Sequence, residues 1–208
     1  MKQGLLVVVS AALCSGACVQ QRPILVVPDS SLAGISAGER TQVDAMAVLL
    51  RAAKDARVSR KSALTSVERE VQMAGLAIQR DKAAVNIAEL QFQAAQETAN
   101  ADAMLPANKA RQDAGAQLDR STATRKYLET QRDYQQQLVR VGDAEIAVAG
   151  AKLELTKYVA LTQARGYPNE EKLAEFKSQV AGAEADLAEV QVLAAKAEAT
   201  MSAMRPVL

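Results

Sequence analysis

The chain of 208 residues contains no histidine and no tryptophan, only two phenylalanines and four tyrosines, and its two cysteines fall within the first 18 positions. The missing imidazole removes the usual general base at neutral pH and the commonest metal ligand. A Cys-x-x-x-Cys clip from Cys14 and Cys18 would need two further ligands to complete a zinc site. No Gly-rich phosphate loop, Gly-x-Ser-x-Gly elbow or Asp-rich calcium loop is present. Charge of one sign is also lacking, with 25 bases, 24 acids and a formal net charge of +1. A nucleic-acid partner is therefore not expected, because no domain-scale positive field exists to attract phosphates. No apolar run approaches the roughly 20 residues that span a hydrocarbon core.

Carboxylates are plentiful, and Glu170 with Glu171 and Glu184 with Asp186 form close pairs. Such pairs perform acid–base work only in a cleft that drives their pKa values apart. Helix capping and a solvated face account for them here. The sequence offers no catalytic constellation and no cofactor or metal site, so the expected protein is not an enzyme.

The amino terminus carries the most specific signal. "MKQGLLVVVSAALCSGAC" has a single base, Lys2, then a short apolar run and small residues ahead of Cys18. This is the layout of a secretory signal, residues 1–17. Ser15 and Ala17 satisfy the small-x-small rule of ordinary cleavage. A Cys14–Cys18 disulfide and removal of the signal without lipidation stand as alternatives. The segment "SGAC" resembles the lipobox of bacterial lipoproteins, in which a small residue precedes the cysteine that becomes lipid-modified. Ser15 stands where that family usually has Leu, three residues before the cysteine. The resemblance implies a lipidated Cys18 at the mature N-terminus. In that family an Asp after the cysteine is associated with inner-membrane retention, and Val19 stands there. The implied location is the periplasmic face of an outer membrane. Losing residues 1–17 removes one base, Lys2, and no acid, leaving 24 of each. No basic cluster near the tether would add attraction to an anionic surface.

Beyond Cys18, "VQQRPILVVPDSSLAGI" holds Pro23 and Pro28. Read as an extended tether over residues 18–35, it would reach up to about 50 Å at ~3.1 Å per residue. Its apolar "ILVV" leaves the alternative that it docks on the body or pairs as a short strand.

The rest reads as helix. Ala fills 42 positions, and Ala has the highest intrinsic helix propensity. A core of Ala, Val and Leu, poor in rings, suits helices packed closely along their lengths. Ser36 and Glu39 form a capping box that starts the first helix. Val43, Met46, Leu50 and Ala53 follow at helical spacing, and the seam falters at Arg57 and Arg60. With no Gly or Pro there, the helix is expected to continue. From Leu64 the three-four spacing runs through Val67, Val71, Ala74, Ile78, Asp81, Val85, Ala88, Phe92, Ala95 and Ala99. This is a coiled-coil signal. Asp81 is its polar exception: a register-setting or binding group, or, as the simpler expectation, a residue left wet by a small helix rotation.

Pro106 should stop or kink the helix near Leu105. Residues 100–120 then form a polar hairpin tip, expected to be simply solvated, with a docking tip for a partner as the sharper alternative. In the next helix, Val141, Ala144, Val148, Ala151, Leu155 and Tyr158 mark one apolar face. Val139, Ile146, Leu153 and Ala160 mark a second, as suits contact from two sides. The turn at 166–169 uses Gly166 as a left-handed terminus, Pro168 as a stop and Asn169 as the next cap. The last helix keeps its seam from Leu173 through Phe176, Val180, Ala183, Leu187, Val190, Ala194, Ala197 and Met201 to Met204, and Pro206 ends it. Glu-to-Lys pairs at the favourable spacing are scarce, so packing must supply most of the stability.

The expected fold is all-α: an elongated antiparallel coiled-coil or helical bundle of three to four long helices over residues 36–205. Repeats such as "VAGAEADLAEVQVLAAKAEA" resemble, in composition and periodicity, the helical hairpins of efflux adaptor proteins and outer-membrane channel components. The resemblance implies an accessory role in such an assembly. The expected function is a non-enzymatic, lipid-anchored scaffold or adaptor of the cell envelope. Its partners would be the membrane, through the anchor, and a protein or a second copy through its seams. A periplasmic holdase or inhibitor that binds client chains between helices is the competing reading.

Overall fold

A computed structural model describes residues 25–98, 101–166 and 169–204. Three long helices carry almost all of it: α1 (Ala37–Glu97), α2 (Ala101–Arg165) and α3 (Glu170–Ala203), preceded by a 3-10 segment, Asp29–Gly34. No strand occurs among the described residues. At 1.5 Å per residue, α1 and α2 are each more than about 90 Å long and α3 about 50 Å. The signal segment, Cys18, Pro168 and Pro206 lie outside the described residues.

Helix α1 begins as its sequence dictates. The Ser36 hydroxyl accepts the Glu39 backbone N–H at 3.3 Å, and the Glu39 carboxylate accepts the Ser36 N–H at 2.7 Å. The helix then runs unbroken past Arg57 and Arg60. These two arginines do not interrupt the seam; they cross it. Arg57 Nε donates to Asp143 at 2.6 Å, and Arg60 makes a two-pronged pair with Glu145 at 2.7 and 3.0 Å. Between them lies Gly142, where an added Cβ would stand 3.1 Å from Arg57 Cβ and Cγ. A glycine is what lets the two helices close over the arginine stems.

The change of direction after α1 comes earlier than Pro106. Thr98 terminates α1, α2 starts at Ala101, and Pro106 sits inside α2. The expected break at 106 is thus displaced to the stretch between Glu97 and Ala101. The N–H that Pro106 lacks would have bonded the carbonyl of Asp102, in the exposed first turn of the helix. So near a helix start the loss is slight compared with a mid-helix proline.

Helix α2 is the centre of the molecule. α1 and α3 both pack on it and approach each other nowhere within 8 Å between Cα atoms, among the described residues. The two faces read from the sequence find two partners. Leu153 and Ala160 join Val43 and Ile35, with Met46 and Leu50 of α1 alongside. Val141 packs on Val190 and Ala194 of α3, with Ala144 and Leu187. Tyr158 stacks on Phe176 with ring centroids 4.8 Å apart. The α3 seam is buried or half-buried from Leu173 to Met201, so its partner is α2 of the same chain. Gly166 takes the left-handed conformation, φ 73°, at the end of α2. The Asn169 side chain caps α3 by accepting the Lys172 N–H at 3.0 Å.

Because α3 is about half as long as α2, the molecule has two parts. The base is a three-helix layer made from the first half of α1, the second half of α2, and α3. The arm is the remaining α1–α2 hairpin, roughly residues 70–130, two helices thick.

Candidate functional site

Residues 18–35 are expected to form an extended tether, with docking on the body as the alternative; their described part, 25–35, is docked as a strap across the base. Leu25 donates its N–H to Gln179 Oε1 of α3 at 3.3 Å, and Val27 donates to Glu154 Oε2 of α2 at 2.6 Å. Val27 is buried with Tyr158 and Phe176, and Ile35 with Val43 and Leu153. Val27 and Ile35 drive this, since an exposed tether would leave them in water, whereas Leu25 and Val26 stay exposed. The strap crosses from α3 over α2 to the start of α1.

A charged clasp locks it. Lys157 Nζ lies 2.7 Å from Asp29 of the strap and 3.0 Å from Glu154. Burial pulls the Lys157 pKa down, but its bonds to Asp29 and Glu154 outweigh that and leave it raised. Glu154 serves both the Val27 amide and the Lys157 ammonium. Sequence reasoning missed this residue, although "LELTK" shows a carboxylate between two core leucines and a lysine three places on.

In the arm, Asp81 is buried, contrary to the expectation that helix rotation leaves it wet. The Ser121 hydroxyl of α2 donates to Asp81 Oδ2, and Arg80 Nε donates to Oδ1 at 2.9 Å. The Ser121 bond first, then the Arg80 bond, hold the Asp81 carboxyl below its ordinary pKa. With a partner on the facing helix and an arginine on its own, Asp81 does not need water. It acts on α1–α2 pairing, because a shift of either helix would strand the carboxylate among Ala and Val side chains.

Two concave surfaces lie along the bundle. At the far end of the arm, a cleft of about 560 Å³ is walled by Ala94, Ala95, Ala103, Ala107 and Pro106. Beside it Arg111 lies over the Phe92 ring, 4.4 Å from the centroid, and 3.5 Å from Glu89. On the base, a groove of about 200 Å³ runs over α2 where α1 and α3 stay apart, lined by Met46, Leu49, Val148 and Leu187.

Comparison with protein-family models, with curated proteins and with solved structures finds no match. The reading of the site rests on its own geometry.

Of the carboxylate pairs, Glu170 with Glu171 lies away from both surfaces, whereas Glu184 borders the base groove through its partner Lys152. Glu170 and Glu171 are exposed in the first turn of α3, where its positive end favours them. Glu184 pairs with Lys152 at 2.7 Å, and Asp186 is exposed. No three Asp, Glu, His or Cys residues converge on a metal-sized site among the described residues. No described helix is long and apolar enough to cross a membrane. What the arrangement offers is reach and surface: a fastened base, a long two-helix arm, an alanine-walled tip and an open groove.

Proposed function

We propose that the protein is a non-enzymatic lipoprotein of the cell envelope, anchored through Cys18 at the periplasmic face of an outer membrane and serving as a scaffold or adaptor. The observation that carries this reading is the strap. Seven covalent steps separate Cys18 from Leu25, a span of at most about 25 Å, and Leu25 is already bound to the base. A lipid on Cys18 therefore holds the three-helix base near the membrane. The arm tip stands about 75 Å along the helices from the strap. A partner protein meeting the tip cleft would be held at that distance from the lipid, as an adaptor requires.

Mass analysis of the mature N-terminus tests the anchor, with Cys18→Ala as control. The expected product begins at a lipid-modified Cys18 and fractionates with membranes, and the variant does not. An unlipidated product starting elsewhere removes the anchoring argument. Photo-crosslinking in intact cells from positions 103 and 107 tests the adaptor role, with a discrete partner expected at the tip.

The base groove supports a second reading, a holdase that takes client chains. Leu49 and the nearby Val48 are more than half exposed beside it. Suppression of aggregation of an unfolded model protein, lost in Leu49→Asp, would favour that reading over the adaptor.

A further inference from the structure

The side of α1 turned away from α2 changes character along its length. Over the base it reads Thr41, Ala45, Val48, Ala52, Asp55, Ser59, Ser62, Ser66 and Arg69, all exposed and mostly small or polar, with Val48 its single large apolar group. Over the arm the same heptad positions read Met73, Leu76, Arg80, Ala83, Ile87, Leu90 and Ala94, again all exposed. Met73 is 66% exposed, Leu76 58%, Ile87 57% and Leu90 65%. Ile87 lies about 180° around the helix from the buried Ile78, so this stripe is a second seam and not the edge of the first. Among the described residues nothing covers it, because α3 packs on α2 and not on α1. Three-four spacing of large aliphatic groups along a rigid helix is the pattern of a coiled-coil seam with a missing partner.

We propose that a second copy of this chain supplies that partner, with the two α1 stripes packed antiparallel about a two-fold axis near residues 81 and 82. A two-fold contact must be self-complementary, residue i meeting j and j meeting i. Reversed on itself, the stripe is. Met73 meets the partner's Leu90, and Leu76 meets the partner's Ile87. At the centre Arg80 meets the small partner's Ala83. Beyond the apolar run, Arg69 comes within reach of the partner's Glu97. A parallel pairing in register would instead set Arg80 against the partner's Arg80. Arg80 is already held by Asp81 at 2.8 Å, so its charge is neutralised where it stands near the centre of the antiparallel pair. The flanking positions Gln72, Gln79, Asn86, Gln93, Ala77 and Ala84 carry no charge to oppose this pairing.

The contact buries roughly 600 Å² per copy, somewhat below the ~800 Å² of a standard stable interface. A dimer with a dissociation constant of order micromolar is the corresponding expectation. The proposal is independent of the lipid anchor.

The test uses the full chain carrying Cys14→Ala and Cys18→Ala. Sedimentation equilibrium at up to ~100 µM should show a dimer, and Ile87→Glu, with unchanged helical circular dichroism, should weaken it at least ~100-fold. Adding Leu76→Cys with Ile87→Cys should give an oxidised dimer. Within one copy those positions are about 16 Å apart, beyond the ~7 Å Cα limit of a disulfide. Ile87→Cys alone should give none. A monomer at the highest concentration overturns the proposal, as does a dimer unaffected by Ile87→Glu. Efficient crosslinking of Ile87→Cys alone shows a parallel pair and overturns it too. A monomer that floats with phosphatidylglycerol vesicles overturns it in favour of a lipid surface on the stripe.

Discussion

In the base, α2 is packed from two sides and strapped across a third; in the arm it has α1 alone. The difference is visible residue by residue. From Val141 to Ala160, α2 has eight buried residues, including Val148, Ala151, Leu153 and Tyr158. From Ala101 to Arg140 it has none. The arm's buried groups come from α1: Ile78, Asp81, Ala88 and Ala95. Length alone therefore does not stabilise the hairpin. Local opening follows the density of buried apolar contact, so amide exchange should be slowest around 141–160 and fastest towards the tip.

The sharpest way to break this contrast is to damage the base core. Phe176 is buried against Tyr158 and Val27 and is one of only two phenylalanines in the chain. Phe176→Ala should cost about 3–4 kcal/mol, read by urea unfolding followed by circular dichroism. It should also free the strap, because Val27 loses one wall of its pocket. If exchange in residues 25–35 stays slow in this variant, the strap is held by the clasp and not by the core.

The clasp gives the next effect. Glu154→Ala removes the acceptor of the Val27 N–H and one of two anions on Lys157, leaving a buried donor unpaired. The expected loss is about 2 kcal/mol, with faster exchange over 25–35 and no change in the arm. The alkaline limb is informative as well. Lys157 has a raised pKa in the fold, so its contribution is complete below the unfolded value near 10.4 and fades as pH rises through the folded one. Wild type should loosen its strap at strongly alkaline pH, and Glu154→Ala should do so less steeply.

Legibility in the sequence followed the same division. Seams of large residues at three-four spacing, both faces of α2, the Ser36 cap and the Gly166–Asn169 turn could be read, because each is a local pattern with one structural solution. The strap could not be resolved from the tether, since "ILVVP" is compatible with either and only the pocket formed by Tyr158 and Phe176 decides. Asp81 looked like a fault in a seam because its partner, Ser121, lies 40 residues away. Arg57 and Arg60 looked like a weak point for the same reason: Gly142, Asp143 and Glu145 complete them from the other helix. Pro106 was read as a helix disruptor, but α2 runs through it and the turn comes earlier; the carbonyl it leaves unpaired, that of Asp102, lies in an exposed first turn. Each residue misread in the seams takes its meaning from a contact distant in sequence.

A smaller change, confined to the base, is Ser36→Ala. It removes one arm of the capping box and should cost about 1 kcal/mol. Because the cap lies at the far end of α1 from the arm, exchange at residues 78–95 should be unaffected. A loss that spread into the arm would show that α1 unfolds as one cooperative unit, and the two-part description would need revision.

The finest discrimination comes from acid. Asp81 has a depressed pKa in the fold, so its bond to Ser121 contributes stability above the unfolded value near 3.9. That contribution is lost as pH falls through the folded value. The effect belongs to the arm, since the groups that hold the Asp81 carboxyl, Ser121, Arg80 and Gln117, all lie in it. Many carboxylates titrate together in this range, so the measurement is a difference between wild type and Asp81→Asn. The amide keeps an acceptor for the Ser121 hydroxyl but cannot titrate. Arm exchange at pH 5, relative to the base, should be slower in wild type than in the variant, and the gap should narrow as pH falls through the folded value. No gap at pH 5 would mean that Asp81 acts through its shape and not its charge, and pairing of the two arm helices would then be set by packing alone.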